Sequence, residues 1–395
     1  MKKLLGILIV LLASYKAFAC DQNLQAFSRD CAMQDRLASI RTKYSNLGID
    51  LDEIGDYKGV RFIARGAWNG AMNMKKAPTD IYNPAPATWN VWEGGINSLF
   101  KNRQNKDALY NGSVTLDQNR FSQINLVLLT DGVTSIKDAG TAQNKKPGEF
   151  RHYNDTGVGY CAGAGDEEVY RKGIERAEDS MKTFQKKWES LSGVRFKDVV
   201  KQYNGLKWRR ANLEPGMNIS GACRDGTGVF IGYSSSYDVE NQIDWIRIFI
   251  KTNLEAIQQG RGVLSPVALA AIVQKWFVSV HPFADGNGRT SRGVQDTIMA
   301  NFGLPYVPGG DLQNDAMEDA EVYIENTYKQ LDLMLAKLET CADNRALGLI
   351  SRTCRTVEEL NKNLIDDNQQ LALEEQLKLK VQAPEAPLVN PNGGY

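Results

Sequence analysis

Residues 265–292 read SPVALAAIVQKWFVSVHPFADGNGRTSR, and this stretch decides how the chain folds. Ser265 is a helix N-cap residue and Pro266 suits the first helical position, so a helix starts there. The run that follows to Val280 has only Gln274, Lys275 and Ser279 as polar side chains. A helix that is apolar nearly all round is a buried one. Pro282 disfavours helical geometry at His281, so the helix ends there and the imidazole stands where the chain turns. A second helix is expected from about residue 289 to residue 302, closed by Gly303. The prediction is a mostly α protein: a helical bundle around this central helix–loop–helix, with a small β-hairpin.

Between the two helices lies Asp285-Gly286-Asn287-Gly288. Its glycines can take positive φ and turn successive backbone N–H groups toward one point, which at a helix N-terminus makes a phosphate site. Arg289 and Arg292, three residues apart, are neighbours on the first turn and can add charge-assisted bonds to further phosphates. Asp285 would repel the same phosphates unless a cation bridged them, and Mg²⁺ prefers carboxylate, water and phosphate oxygens. His281 is one of two histidines in 395 residues. An imidazole of ordinary pKa about 6.5 is suited to take a proton from a hydroxyl at neutral pH. The chemistry suggested is attack of a hydroxyl on phosphorus. Taken singly, a histidine at a helix end is commonly a cap, Gly-Asn-Gly commonly a turn and an arginine pair commonly solvated. Their fixed order in one contiguous loop, with Phe283 as an apolar anchor, carries the reading.

The remaining chain sets bounds. With 42% apolar and 24% charged residues it can bury a sizeable core. Forty-seven basic residues offset forty-seven acidic ones, so there is no overall field to hold a nucleic acid. Lys2 and Lys3, an apolar run over 4–13 and Ala17-Phe18-Ala19 read as a signal peptide over 1–19. That run is half of the roughly 20 residues needed to cross a bilayer, so no transmembrane anchor is expected. Export, to the periplasm or the exterior, is the expectation. Cys20 follows a loose lipobox and is a candidate lipid anchor. Six cysteines make an even set. Proximity suggests Cys20–Cys31, Cys161–Cys223 and Cys341–Cys354, although six cysteines allow fifteen pairings.

Helical spacing is expected at 22–45, 115–130, 166–191, 246–257 and after residue 313, where Ile324, Tyr328, Leu331, Leu335 and Leu338 share a face. Gly228-Val229-Phe230-Ile231-Gly232 reads as one arm of a hairpin. The organisation expected is a helical region over 20–115, a core over 116–345 with an insertion at about 152–227, a C-terminal helix over 346–380 and a disordered tail over 381–395.

HPFADGNGRTSR also fills all nine specified positions of HPFx(D/E)GNGRxxR, and so resembles the signature of the Fic family. The resemblance implies a mostly helical fold and transfer of AMP from ATP to a Ser, Thr or Tyr hydroxyl of a target protein. It implies His281 as general base, Asp285 as Mg²⁺ ligand, Gly286, Asn287 and Gly288 as anion hole, and Arg289 and Arg292 as phosphate clamps. Gly288 stands where the phosphorylating Doc-type relatives carry lysine, which favours adenylyl transfer; phosphocholine transfer stays open. The family's target-holding flap resembles residues 147–151 (PGEFR) for one arm and Val229, Phe230 and Ile231 for the other, with a long insert between them. An inhibitory helix of pattern (S/T)xxxE(G/N) is approximated by Thr88 to Glu93, which sets Glu93 opposite Arg292. Ser236 to Asn241 has the right letters but is better explained as a helix start. Tyr323 falls where relatives contact adenine.

Two alternatives stand beside adenylyl transfer. One is removal of AMP from modified proteins, with Glu93 orienting water. The other is a secreted binding module without turnover. Because the periplasm is not expected to supply ATP, export implies action inside another cell or on a different phosphate-bearing substrate.

Overall fold

Ser265 caps the central helix as its side chain predicts, its Oγ accepting the Ala268 N–H at 3.1 Å. In the computed structural model the described residues are 27–54, 57, 121–122, 124–125, 148–151, 159–163, 167–195, 218–223, 228–236, 238–283, 286–307, 317–351, 354–356 and 359. The expected signal peptide, Cys20, Glu93, Asp285, the tail and nearly all of the 346–380 helix lie outside them. So do the side chains of Cys161, Val229, Ile231 and Arg289. The described part is mostly helical, as expected: α1 (Ser28–Asn46), α2 (Glu167–Ser192), α3 (Val239–Gln258), α4 (Pro266–Val280), α5 (Asn287–Asn301) and α6 (Ala320–Ala346). Its strands are β1 (Gly159–Gly163), β2 (Asn218–Ala222) and β3 (Gly228–Gly232).

Every residue of α4 is buried, and the helix packs on α3, α5 and α6. Its N-terminus is satisfied from two sides. Besides the Ser265 cap, Asp30 on α1 accepts the Val267 N–H at 2.9 Å, and Tyr328 on α6 donates its hydroxyl to the other Asp30 oxygen. Three elements therefore meet at the orphan donors that a helix start leaves. Burial pushes the Asp30 carboxyl above its ordinary range.

Around Trp276 the core is aromatic. Trp245 and Phe249 of α3 meet its ring at 3.9 and 4.8 Å between centroids, and Phe184 of α2 lies at 6.3 Å, all edge-on. Phe121 packs edge-on against Phe277 at 5.3 Å, which places residues 121–122 and 124–125, the described part of the expected 115–130 helix, on the same core. On the outside, α1 and α6 are zipped by Arg29 with Glu325, Arg36 with Asp332 and Glu339, and Lys43 with Asp343. Bidentate geometry at Arg36–Glu339, 2.7 Å on both bonds, makes that pair the strongest rung.

Two boundaries move from their expected positions. Helix α3 begins at Val239, a turn and more before residue 246, because Val239 and Ile243 also face the core. Helix α5 begins at Asn287, since Gly286 takes the left-handed conformation (φ 74°) and serves as N-cap. The expected pairing of 147–151 with 229–232 is corrected. Strand β3 lies at the centre of an antiparallel sheet of order β1-β3-β2, flanked by 159–163 on one edge and 218–222 on the other. Phe150 instead bridges to Phe283. The Phe150 and Phe283 rings pack at 5.0 Å, so this short segment is held down on the loop after α4.

Cys341 and Cys354 form the expected disulfide, closing the end of α6 onto the following segment. Cys31 and Cys223 are also disulfide-bonded, and their expected partners fall on Cys20 and on the Cys161 side chain, outside the description. With a separation of 13 residues, loop-closure entropy gives the Cys341–Cys354 link about 3 kcal/mol. Replacing both cysteines by serine is expected to lower the unfolding free energy in urea by about 2–4 kcal/mol.

Candidate functional site

His281 is the only described non-glycine residue with positive φ (52°). Its N–H closes α4 by donating to the Phe277 carbonyl at 3.0 Å, and the chain then turns through Pro282. The imidazole Nδ1 lies 3.3 Å from the Val278 carbonyl. A carbonyl only accepts, so this contact selects the Nδ1–H tautomer and leaves the Nε2 lone pair open to take a proton. Tyr233, directly after β3, stacks on the ring at 3.6 Å between centroids and 9° between planes. Burial pushes the His281 pKa down to about 3; the Arg151 cation adds to the fall and the Val278 carbonyl opposes it. His281 as a residue is half-buried.

The loop beyond is held by its own side chains. Phe283 is buried, and Asn287 spans its peptide groups: Oδ1 accepts the Phe283 N–H and Nδ2 donates to the Phe283 carbonyl, both at 2.8 Å. The Asn287 side chain is thus committed to the shape of the loop, and its contribution toward an anion is its main-chain N–H. The first intrahelical bond of α5 is Thr290 N–H to the Gly286 carbonyl, 2.8 Å. Main-chain N–H groups of Asn287, Gly288 and Arg289 precede it, at the positive end of the helix. These are donors of the type that suit phosphate oxygens.

Support comes from neighbouring elements. Ser291 donates to the Gly288 carbonyl at 2.9 Å, and Gln274 of α4 reaches Ser291 at 3.4 Å. Tyr323 donates its hydroxyl to Gln274 at 2.5 Å with Lys275 5.5 Å from its ring centroid, so the residue expected near adenine is engaged in the α4–α6 contact. Asn125 joins Thr290 of α5 to the Gly148 N–H, at 3.0 and 2.8 Å. Arg292 lies one turn into α5, half-buried, with its Nε directed to the interior.

Substituting Asn287 by alanine removes both bonds to Phe283 and frees the loop between the two helices. Turnover is expected to fall about 10- to 100-fold with a small loss of stability, checked by initial rates beside a thermal melt.

Of the residues expected from sequence, His281, Gly286, Asn287, Gly288 and the backbone of Arg289 are brought together at the junction of α4 and α5, with Arg292 on the same helix. Phe230 is half-buried in the central strand of the sheet, and both edges of that strand are paired. Strand β3 itself therefore has no edge left for an added target strand. Glu240, from the string 236–241, is exposed in the first turn of α3, where that string starts the helix. No group of three or more acidic, cysteine or histidine residues able to hold a metal occurs among the described residues.

Sequence reasoning passed over Arg151, Tyr233 and Asn125. Arg151 had been read as part of a flap arm, and nothing in the letters indicates that its side chain turns inward. Tyr233 could have been found as the first residue after the only clear strand signal.

The Fic/DOC family model matches residues 213–299, which include β2, β3, α3, α4 and most of α5. A Fido domain-containing protein of Dictyostelium discoideum is 41% identical over 51 residues, 13% of this chain and 36% of its own. Proteins named protein adenylyltransferase Fic are similar over shorter stretches. That of Drosophila melanogaster is 46% identical over 46 residues, 12% of this chain and 9% of its own. That of Drosophila virilis is 48% identical over 44 residues, 11% and 9% respectively. The chain thus spans about a third of the first relative and under a tenth of the other two. The segment that the Fic/DOC family model matches includes His281 and the whole loop to Arg292.

Proposed function

We propose that the protein is an adenylyltransferase that moves AMP from ATP to a Ser, Thr or Tyr hydroxyl of a target protein. The observation that carries the reading is His281 at the end of α4, its Nδ1 turned to the Val278 carbonyl, a short loop before the N–H groups that open α5. In this reading Nε2 of His281 takes the hydroxyl proton as the oxygen attacks the α-phosphorus. An oxygen–phosphorus bond forms, the bond from the α-phosphorus to the bridging oxygen breaks, and pyrophosphate leaves. The main-chain donors of Asn287, Gly288 and Arg289 hold the phosphate oxygens, and Arg289 and Arg292 supply cationic contacts. Asp285 is a carboxylate of the kind Mg²⁺ takes alongside phosphates, and the ion when bound would offset phosphate charge. Relatives named for protein adenylyl transfer support a protein as acceptor.

Export is part of the proposal. Four disulfide-bonded cysteines, Cys31, Cys223, Cys341 and Cys354, suit an oxidising compartment, and with the N-terminal run they support secretion or a periplasmic location. ATP would then be met inside another cell.

The test is incubation of the purified chain and candidate lysates with Mg²⁺ and ATP labelled at either the α- or the γ-phosphorus. Label from the α position on protein, with a matching gain in intact mass, is the expected result. Label from the γ position alone would mean phosphoryl transfer, and binding of ATP by calorimetry without label from either would mean a module without turnover; each sinks the proposal.

A further inference from the structure

We propose that Arg151 is the positioning residue for His281: its guanidinium grips the carbonyls at the end of α4 and fixes the turn that presents the imidazole. The inference rests on His281 as the base of the proposed transfer.

A left-handed conformation at a residue bearing a side chain costs on the order of 1–3 kcal/mol and persists where the surroundings over-determine it. At His281 the surroundings are supplied mainly by Arg151. Nε donates to the His281 carbonyl at 2.6 Å, and Nη2 donates to the carbonyls of Val280 at 2.9 Å and Ser234 at 2.8 Å. The Arg151 main-chain N–H adds a fourth bond, to Pro282 at 2.7 Å, and the Phe150–Phe283 bridge clamps the next residue pair. One side chain thus ties the end of α4, the turn and the segment after β3 into a single unit. That same segment carries Tyr233, which stacks on the imidazole.

Packing alone does not call for this arrangement. Arg151 is 2% exposed, and its hydrogen bonds go to main-chain carbonyls, with no carboxylate pairing it among the described residues. Burying a cation without an acid is costly, and the negative end of the α4 dipole offsets only part of that cost. Burial pulls the guanidinium pKa down to about 10, so the group is still charged at neutral pH. A planar fork serves several carbonyls at once, which a lysine ammonium on a flexible stem does not. Among the described residues the groups that face the imidazole are the Arg151 cation, the Val278 carbonyl and the Tyr233 phenol ring, and the cation opposes a second proton on His281. The base is therefore kept neutral in the empty site, and the charge of a bound triphosphate works against that restraint.

Only two histidines occur in the chain, so imidazole ¹⁵N spectra of the full-length protein give two ring systems, and His152→Gln assigns them. Wild type is expected to show one tautomer of His281 at neutral pH, with the proton on Nδ1. In Arg151→Gln the ring is expected to average between tautomers and to titrate at higher pH, while turnover falls about 10- to 100-fold with KM for ATP changed less than about twofold. Arg151→Lys is expected to keep the low titration but lose the single tautomer, since the charge stays and the fork does not. A single Nδ1–H tautomer in Arg151→Gln with turnover within about threefold of wild type overturns the proposal. Should the glutamine variant fail to fold, the lysine variant decides: an averaged ring supports the proposal and a single tautomer overturns it. The spectra are read without ATP, so a chain that transfers no AMP defeats the proposed function while leaving the hold of Arg151 on His281 to be judged by itself.

Discussion

Replacing His281 by alanine is expected to lower AMP transfer by about 10²- to 10⁴-fold, the range that removal of a general base produces. The structural reason is that no other described group has an open nitrogen lone pair at the junction of α4 and α5. Binding of ATP should change little, because the proposed phosphate contacts come from α5 and its arginines. Rates with α-labelled ATP, set beside calorimetric affinity, check both halves; a variant that labels as well as wild type removes the mechanism.

The pH dependence follows from the same residue. His281 must be neutral to accept a proton, and its pKa lies far below the ordinary 6.5, at about 3, chiefly through burial. The acid limb of kcat/KM is therefore expected well below pH 6.5. The limb of kcat should lie higher than that of kcat/KM, because bound phosphate charge favours the imidazolium. The same shift acts on stability. Between pH 6.5 and the depressed value the unfolded chain takes up a proton at His281 that the folded chain does not. Stability is thus fully present above pH 6.5 and is lost as pH falls toward 3, at up to about 1.4 kcal/mol per pH unit. His281→Gln should flatten that slope in urea unfolding measured across this window.

Trp276→Ala is expected to cost about 3–5 kcal/mol of unfolding free energy, as truncation of a buried large aromatic does. Trp276 is 2% exposed and touches α3 through Trp245 and Phe249 and α2 through Phe184. Removing it opens a cavity that three helices cannot close together, because each is held elsewhere by its own contacts. It also stands on the helix that carries His281, so transfer should decline before global unfolding. Urea melts followed by tryptophan emission and by activity should separate, with activity lost first. A cost below about 1 kcal/mol would mean that the aromatic cluster repacks.

Local rules made the centre of the molecule legible. Ser265 and Pro266 mark the start of α4, the unbroken apolar run marks it as buried, and Pro282 marks its end. Each depends on bonds or steric contacts within a few residues, so the letters suffice. The same holds for the existence of α1, for the buried face of α6 and for the short strand 228–232. The α5 boundary was missed by two residues because Gly286 adopts the left-handed conformation and becomes the cap, one of several turns its letters allow.

Pairing across distance was a different matter. PGEFR and GVFIG resemble two arms of one hairpin, yet β3 accepts 159–163 and 218–222 as neighbours and leaves Phe150 to bridge with Phe283. Strand preference depends on the neighbours and burial of each face, and no local pattern encodes the partner. Arg151 illustrates the same limit at one side chain. Its sequence neighbours resemble one arm of a flap, whereas its guanidinium ends buried among the carbonyls of Val280, His281 and Ser234.

By itself, then, the sequence determined a buried helix, a glycine turn, a second helix and the residue types set along them, because capping, proline sterics and apolar periodicity act at short range. The tertiary structure alone decided which tautomer His281 presents, that Asn287 serves the loop through its side chain, and that a buried arginine holds the turn. The first two rest on contacts three and four residues apart inside a turn that must already be in place, and the last on groups 129 and 130 residues apart meeting in a desolvated space, where hydrogen bonds and charges are stronger than in water.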